Sequence, residues 1–333
     1  MKLPLYLIIL TLALATVLGC QQNTTYKWVI PSGEGKPVPI EIKRYGQTLF
    51  SLDTTRFAEE LNRIQPDYQV FIGNNYNQPE LLNQLYNFVT DTVLIKVNKK
   101  TQEVFPDLTH LETTIGKAFG RYDYFFPDKN PPVVYTYVSG MHYENPVEKN
   151  QDLLIIALDV FLGSDYEAYK YLGLPKYRIN RMTPDYIPVE VMKTLYNVEI
   201  NPGFRQKTLL ERMIGAGKAL VFLDATLPEL SDTLKIGYSQ KQWDWIENNK
   251  KHVWAYLVEN QLFYNSSYDL QIEFMQEAPF TTGFGNESTP RLGVWLGWQI
   301  VRAYHQNHPE VSLSELINNA DAQEILQESG YKP

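Results

Sequence analysis

From Val38 onward, apolar positions alternate with polar ones: Val38, Ile40 and Ile42 read as a strand, with Pro39 marking it as an edge. Tyr68–Ile72 reads as a second extended run, and Val93, Ile95 and Val97 repeat the alternation. Between them, Phe57–Ile64, Pro79–Phe88 and Leu108–Phe119 place apolar residues three and four apart, the spacing of one helix face. Val133–Val138 and Leu153–Leu158 are strand-like. The second of these, LLIIAL, is the continuous apolar run of a strand buried on both faces.

Beyond Leu158 the spacing is helical almost throughout. Thr183 with Pro184 predicts an N-cap followed by proline in the first turn, and Asn201 with Pro202 repeats the pattern. Ser239 with Gln242 and Ser312 with Glu315 fit capping boxes, and Asp321 with Glu324 is a close variant. Trp243, Ile246, Val253, Trp254 and Leu257 form one apolar stripe; Leu292, Trp295, Leu296, Gln299 and Ile300 form another. Gly215, Gly217, Gly293 and Gly297 interrupt helical patterns, each at a cost of up to about 1 kcal/mol against Ala. Close helix packing accounts for them.

The pattern predicts an α+β fold with a strand-containing N-terminal lobe and a mainly helical C-terminal lobe. No low-complexity linker divides them, so residues 38–333 read as a single domain with two lobes. Hydrophobic residues at 44% and aromatics at 13%, including 23 Tyr and 6 Trp, supply a large core. The net charge of −8 carries no basic block, which argues against nucleic acid as a partner and against attraction to acidic lipid.

The N-terminus has its own logic. Lys2 precedes an apolar run, Leu3–Leu18, that ends at Gly19-Cys20 and gives way to polar Gln21–Thr25. This resembles a bacterial lipobox, although Leu18 is bulky for its position. Residues 1–19 are then a lipoprotein signal peptide. Cys20, the chain's only cysteine, is the acylated first mature residue, and residues 20–37 tether the domain to the membrane. A lone, acylated cysteine leaves no disulfide. Gln21 lacks the acidic character that retains lipoproteins at the inner membrane elsewhere. The expected address is therefore the outer membrane, facing the periplasm, with the inner membrane as the alternative.

From Gln151 to the end the chain resembles the gliding-motility-associated lipoprotein B (GldB) family of Bacteroidetes. The residues that carry the resemblance include DLLIIALDVFLGSDYEAYKYLGLPKY (152–177), RMTPDYIP (181–188), LLERMIGAGKALVFLD (209–224), LPELSDTLKIGYSQKQ (227–242), GNESTPRLGVWLGWQIVRAY (285–304) and ILQESGYKP (325–333). That family is similar in turn to zincin-like metalloproteases. In those, HExxH places two histidines one turn apart on a helix, with the Glu as general base and a third ligand from a later helix.

Against that frame, Glu190 holds the central Glu position, but Val189 and Lys193 stand where the histidines belong, and Ala216 stands at the third-ligand position. Val and Ala have no lone pair to offer, and a protonated Lys repels a divalent cation. The resemblance implies a zincin-like fold with no catalytic residues, no metal and no cofactor. It also implies a non-catalytic envelope lipoprotein that acts by contact with protein partners of the gliding motility or type IX secretion machinery.

Two other classes stay open: an envelope peptidase or cell-wall hydrolase with an atypical centre drawn from Glu190, His142, Lys193 and Glu287, and a periplasmic glycan- or peptide-binding protein. Glu190 and Lys193, three apart, are expected either to pair across the former metal site or to form an ordinary surface pair. His305 and His308 read as surface residues and His252 as flanking the core. Residues 285–291 form a polar loop leading into a helix, where backbone donors could meet an anion or Glu287 could supply the charge. Asp53-Thr54-Thr55, Asp91-Thr92-Val93 and Asp232-Thr233-Leu234 resemble an O-glycosylation pattern of Bacteroidetes.

Overall fold

A computed structural model describes residues 28–333 except Ala278. The signal segment 1–19, Cys20 and the first part of the tether lie outside the described residues. Four short strands form one sheet in the order β1-β2-β4-β3: β1 Lys43–Arg44, β2 Val133–Tyr137, β3 Val147–Asn150 and β4 Leu153–Ala157. β1, β2 and β4 run parallel, with Val134 opposite Leu154, whereas β3 folds back antiparallel on β4. The hairpin turn is only Gln151-Asp152, and Gln151 takes φ 50° to close it. Leu154 and Ile156 are fully buried, but Leu153 and Ile155 are only half-buried, so one face of β4 is well covered and the other partly so.

The rest is helix. In the N-terminal part these are α1 Tyr45–Phe50, α2 Phe57–Ile64, α3 Gln69–Ile72, α4 Pro79–Thr90, α5 Thr92–Val104 and α6 Thr109–Phe125. After the sheet come α7 Lys176–Ile179, α8 Ile187–Leu195, α9 Leu209–Thr226, α10 Asp232–Ile236, α11 Gln240–Glu259, α12 Tyr268–Met275, α13 Leu292–Asn307, α14 Leu313–Asn318 and α15 Ala322–Ser329. Mixed α and β is as expected, but the N-terminal part is itself mostly helical.

Three extended runs predicted from alternation are not strands. Val93, Ile95 and Val97 lie in α5, because Asp91 accepts hydrogen bonds from the N–H groups of Val93 and Leu94 and starts a helix there. Of the three only Val97 is buried; Val93 is 58% exposed. Tyr68–Ile72 closes into the short α3, where Phe71 stacks on Tyr45 at 4.2 Å. Val38–Ile42 is extended but lies on α6, with Val38 N–H donating to Gly116 O at 2.9 Å and Ile42 N–H to Glu112 Oε1 at 2.9 Å. Gly116 and Gly120 make this approach possible, since a Cβ on them would stand 2.5 Å from Val38 O and 1.9 Å from Lys36 O. The described end of the expected tether is therefore packed on the body, and Trp28 stacks on His305 with ring centroids 3.6 Å apart.

Two apolar clusters hold the molecule. A small one gathers Tyr45, Leu49, Leu61 and Ile72 among α1–α4. The large one spans the sheet, α6, α8, α9, α11 and α13. Its centre is the α9–α13 crossing, where a Cβ on Gly217 would meet Gly297 O at 2.3 Å and one on Gly297 would meet Met213 O at 1.8 Å. Close backbone approach is the reason for both glycines. Beside this crossing, buried Asp224 accepts hydrogen bonds from Trp298 Nε1 at 2.8 Å and Arg302 Nε at 2.8 Å. It also pairs with Lys235 Nζ at 2.9 Å, and Arg302 in turn reaches Asp232 at 2.7 Å. Among the described residues no helix is long and apolar enough to cross a membrane.

Candidate functional site

The stretch 182–222 supplies α8, α9 and much of the large apolar cluster. Pro184 opens a 3-10 turn, Pro184–Tyr186, that leads into α8, although the Thr183 side chain makes no capping bond. Asn201 does not cap a helix; its side chain accepts from Gly203 N–H at 3.0 Å within a loop. The cap of α9 is Thr208, reciprocated by Glu211 in a capping box, a signal present in the sequence as T-x-x-E. The boxes at Ser239 and Ser312 form as expected, and Asp321 caps α15 through the N–H groups of Gln323 and Glu324.

Val189 is fully buried in the core. One turn on, Lys193 is partly exposed, with its Nζ 3.4 Å from Glu190 Oε1 and 3.1 Å from the Tyr186 hydroxyl. The two side chains are 27% and 28% exposed, so the pair is neither solvated nor sealed. The ammonium also lies 5.0 Å from the centre of the Tyr186 ring. Burial works against the Lys193 charge, but Tyr186 and Glu190 more than offset it and hold the amine above the usual lysine range. Ala216 is half-buried on α9 and does not line the opening that holds Glu190.

Next to this pair lies a charged arrangement that the sequence does not announce. Arg181 clasps Glu277 with both ends of its guanidinium, at 2.6 and 2.9 Å, and also reaches Gly237 O. Arg291 places Nε 3.1 Å from the same carboxylate, close enough for ion pairing but not aligned for a hydrogen bond. Burial opposes the Glu277 charge, and Arg291, Arg181 and Lys193 overcome it, holding the carboxyl below its ordinary range. Tyr238 is buried beneath, donating to Pro290 O at 2.6 Å. Partners 96 residues apart carry no local signal for this ring, and only the fold assembles it.

Arg181 and Tyr186 separate two openings. A cleft of about 1000 Å³ is lined by Tyr177, Tyr238, Ser231, Thr233 and Ser239. A smaller one, about 150 Å³, has Glu190, Arg178 and Tyr143 in its wall. Of Glu190, Lys193, His142 and Glu287, only the first two share a hydrogen bond or ion pair. His142 is exposed, its N–H bound to Ser139 Oγ at 2.9 Å, and Glu287 pairs with Lys241 at the surface. Among the described residues no three His, Cys, Asp or Glu side chains are grouped as a metal site.

The remaining candidates have structural duties. His305 is not a surface residue as its spacing suggests: it is buried under Trp28, and burial lowers its pKa. His308 is half-buried between Glu310 and Glu328, and exposed His252 sits edge-on to Phe284. In the three acidic-hydroxyl motifs, Asp53 and Asp91 cap helical turns and Asp232 belongs to the Arg302 network. In the loop 285–291, Ser288 Oγ and Thr281 are bonded to each other's segment. A further buried carboxylate, Asp159, follows β4 and holds the loop after β2 through Ser139 N–H at 2.9 Å and Met141 N–H at 2.5 Å. Burial pushes that carboxyl upward in spite of these donors.

Comparison with known proteins adds one relationship. The sequence model of the family described as gliding motility protein GldB matches residues 29–333, nearly the whole chain and including the N-terminal part. No curated protein matches, and no solved structure does.

Proposed function

Because the chain belongs to the gliding motility GldB family, we propose that it is a non-catalytic cell-envelope lipoprotein acting by protein–protein contact in the motility or type IX secretion machinery. Acylated Cys20 holds it to the outer membrane on the periplasmic side. Its body is an inactive zincin-like scaffold, in which α8 and α9 keep the order of ligand-bearing helices without the ligands. The observation that carries this reading is the position of Lys193. Its ammonium lies against Glu190 and Tyr186, where a neutral metal-binding side chain would be required, while Val189 and Ala216 offer no donor.

Metal analysis and genetics test the reading together. Purified protein is expected to contain no stoichiometric zinc, and Glu190→Gln is expected to support normal cell spreading in the native host. Cys20→Ala is expected to abolish spreading. Stoichiometric zinc, lost together with a hydrolytic activity in Glu190→Gln, would establish the peptidase or cell-wall hydrolase instead.

The tyrosines and hydroxyls of the 1000 Å³ cleft favour a second reading, a glycan- or peptide-binding protein. Saturable binding of purified cell-wall fragments, lost when Tyr177 is replaced by Ala, decides for it.

A further inference from the structure

Lys218 lies on α9 in the wall of a pocket of about 220 Å³ that shares no lining residue with the cleft at Arg181. It is 5% exposed. Its Nζ donates to Ile317 O at 3.2 Å and to the carbonyl of Asn319. Both carbonyls lie at the C-terminal end of α14, whose partial negative charge suits a cation. They do not neutralise it. Among the described residues no carboxylate offsets this, and burial draws the amine down to about 8. An ammonium has three donors, two of which are used. A cation taken out of water without a counter-charge is costly for a fold to keep.

The rest of the wall provides what an anion needs. Arg205 is exposed at the pocket and makes no ion pair among the described residues. Gln206 lays its amide across Gly215, where a Cβ would stand 2.0 Å from its Nε2, so this interior glycine makes room for a side chain and not for a helix. Glu211, the carboxylate of the wall, is committed to the N–H groups of Lys207 and Thr208 at the start of α9. Phe204 and Ile214 add an apolar flank. An apolar flank beside two cations suits a carboxylate carried on an organic residue better than a bare inorganic anion.

We infer that this pocket binds a carboxylate presented by a peptide, either a free chain terminus or an acidic side chain. Lys218 and Arg205 are the counter-charges and Gln206 is a neutral donor. The site does not rest on the reading of Glu190 and Lys193, and variants there leave it intact.

Fluorescence anisotropy on the full-length protein in detergent tests it with three labelled peptides of one apolar sequence: one with a free C-terminal carboxylate, one amidated, and one amidated with an internal Glu. Saturable binding of the first or third, and not of the second, is expected, and which of the two binds identifies the source of the carboxylate. Arg205→Ala, at an exposed position, and Lys218→Met, checked for an unchanged circular dichroism spectrum, are each expected to weaken binding tenfold or more. Equal binding of all three peptides, no binding of any, or binding unchanged in Arg205→Ala would overturn the assignment.

Discussion

Glu190 and Lys193 stand one helical turn apart, with Nζ 3.4 Å from Oε1 and the Tyr186 hydroxyl completing the contact at 3.1 Å. Both are a little over a quarter exposed, so solvent screens the attraction but does not abolish it. A double-mutant cycle over Glu190→Gln and Lys193→Met in urea is expected to return a coupling of about 0.5–1 kcal/mol. A coupling indistinguishable from zero would reduce the pair to a coincidence of geometry.

Asp224 is the most heavily committed carboxylate in the described structure, shared by Arg302, Lys235 and Trp298. Removing it leaves two buried cations, Arg302 and Lys235, to share the partly exposed Asp232 as their remaining counter-charge, and breaking a buried pair in this way is damaging. Asp224→Ala is therefore expected to destabilise by about 3–5 kcal/mol, measured by guanidinium unfolding. Asp53→Ala, which removes only a surface turn cap, is expected to shift the unfolding midpoint far less.

The buried amine of Lys218 has a measurable pH signature. Its folded pKa, about 8, lies below the unfolded value, so the unfolded chain binds more protons in between. Stability contributed by this group therefore rises as pH increases from about 8 toward the ordinary lysine value. Lys218→Met is expected to flatten that slope in urea melts recorded between pH 7.5 and 10. A parallel pH dependence in the variant would show that Lys218 titrates normally.

The helical glycines separate by what a methyl group would meet. At Gly297 it meets the Met213 backbone, which cannot move without parting α9 from α13, so Gly297→Ala is expected to cost about 1–3 kcal/mol or more. At Gly215 it meets only the tip of Gln206. Gly215→Ala is expected to hold or raise the melting temperature, because Ala favours the helix by up to about 1 kcal/mol. Differential scanning fluorimetry on the two variants distinguishes these outcomes.

What the sequence determined by itself is local or repetitive. Helices with apolar residues three and four apart, the β4 run LLIIAL and the capping boxes at Ser239 and Ser312 could be placed from it, because their signals lie within a few residues of the structure they specify. So could family membership, through an ordered series of motifs. Short alternation misled at Val93–Val97, where one cap at Asp91 outweighed five residues of pattern, and at Val38–Ile42, where the partner was a groove on α6 and not a strand. The Arg181–Glu277–Arg291 ring, the burial of His305 under Trp28 and the isolation of Lys218 were decided only by the tertiary structure. Each depends on charge and desolvation among groups dozens of residues apart, and no pattern along the chain encodes which of them will meet.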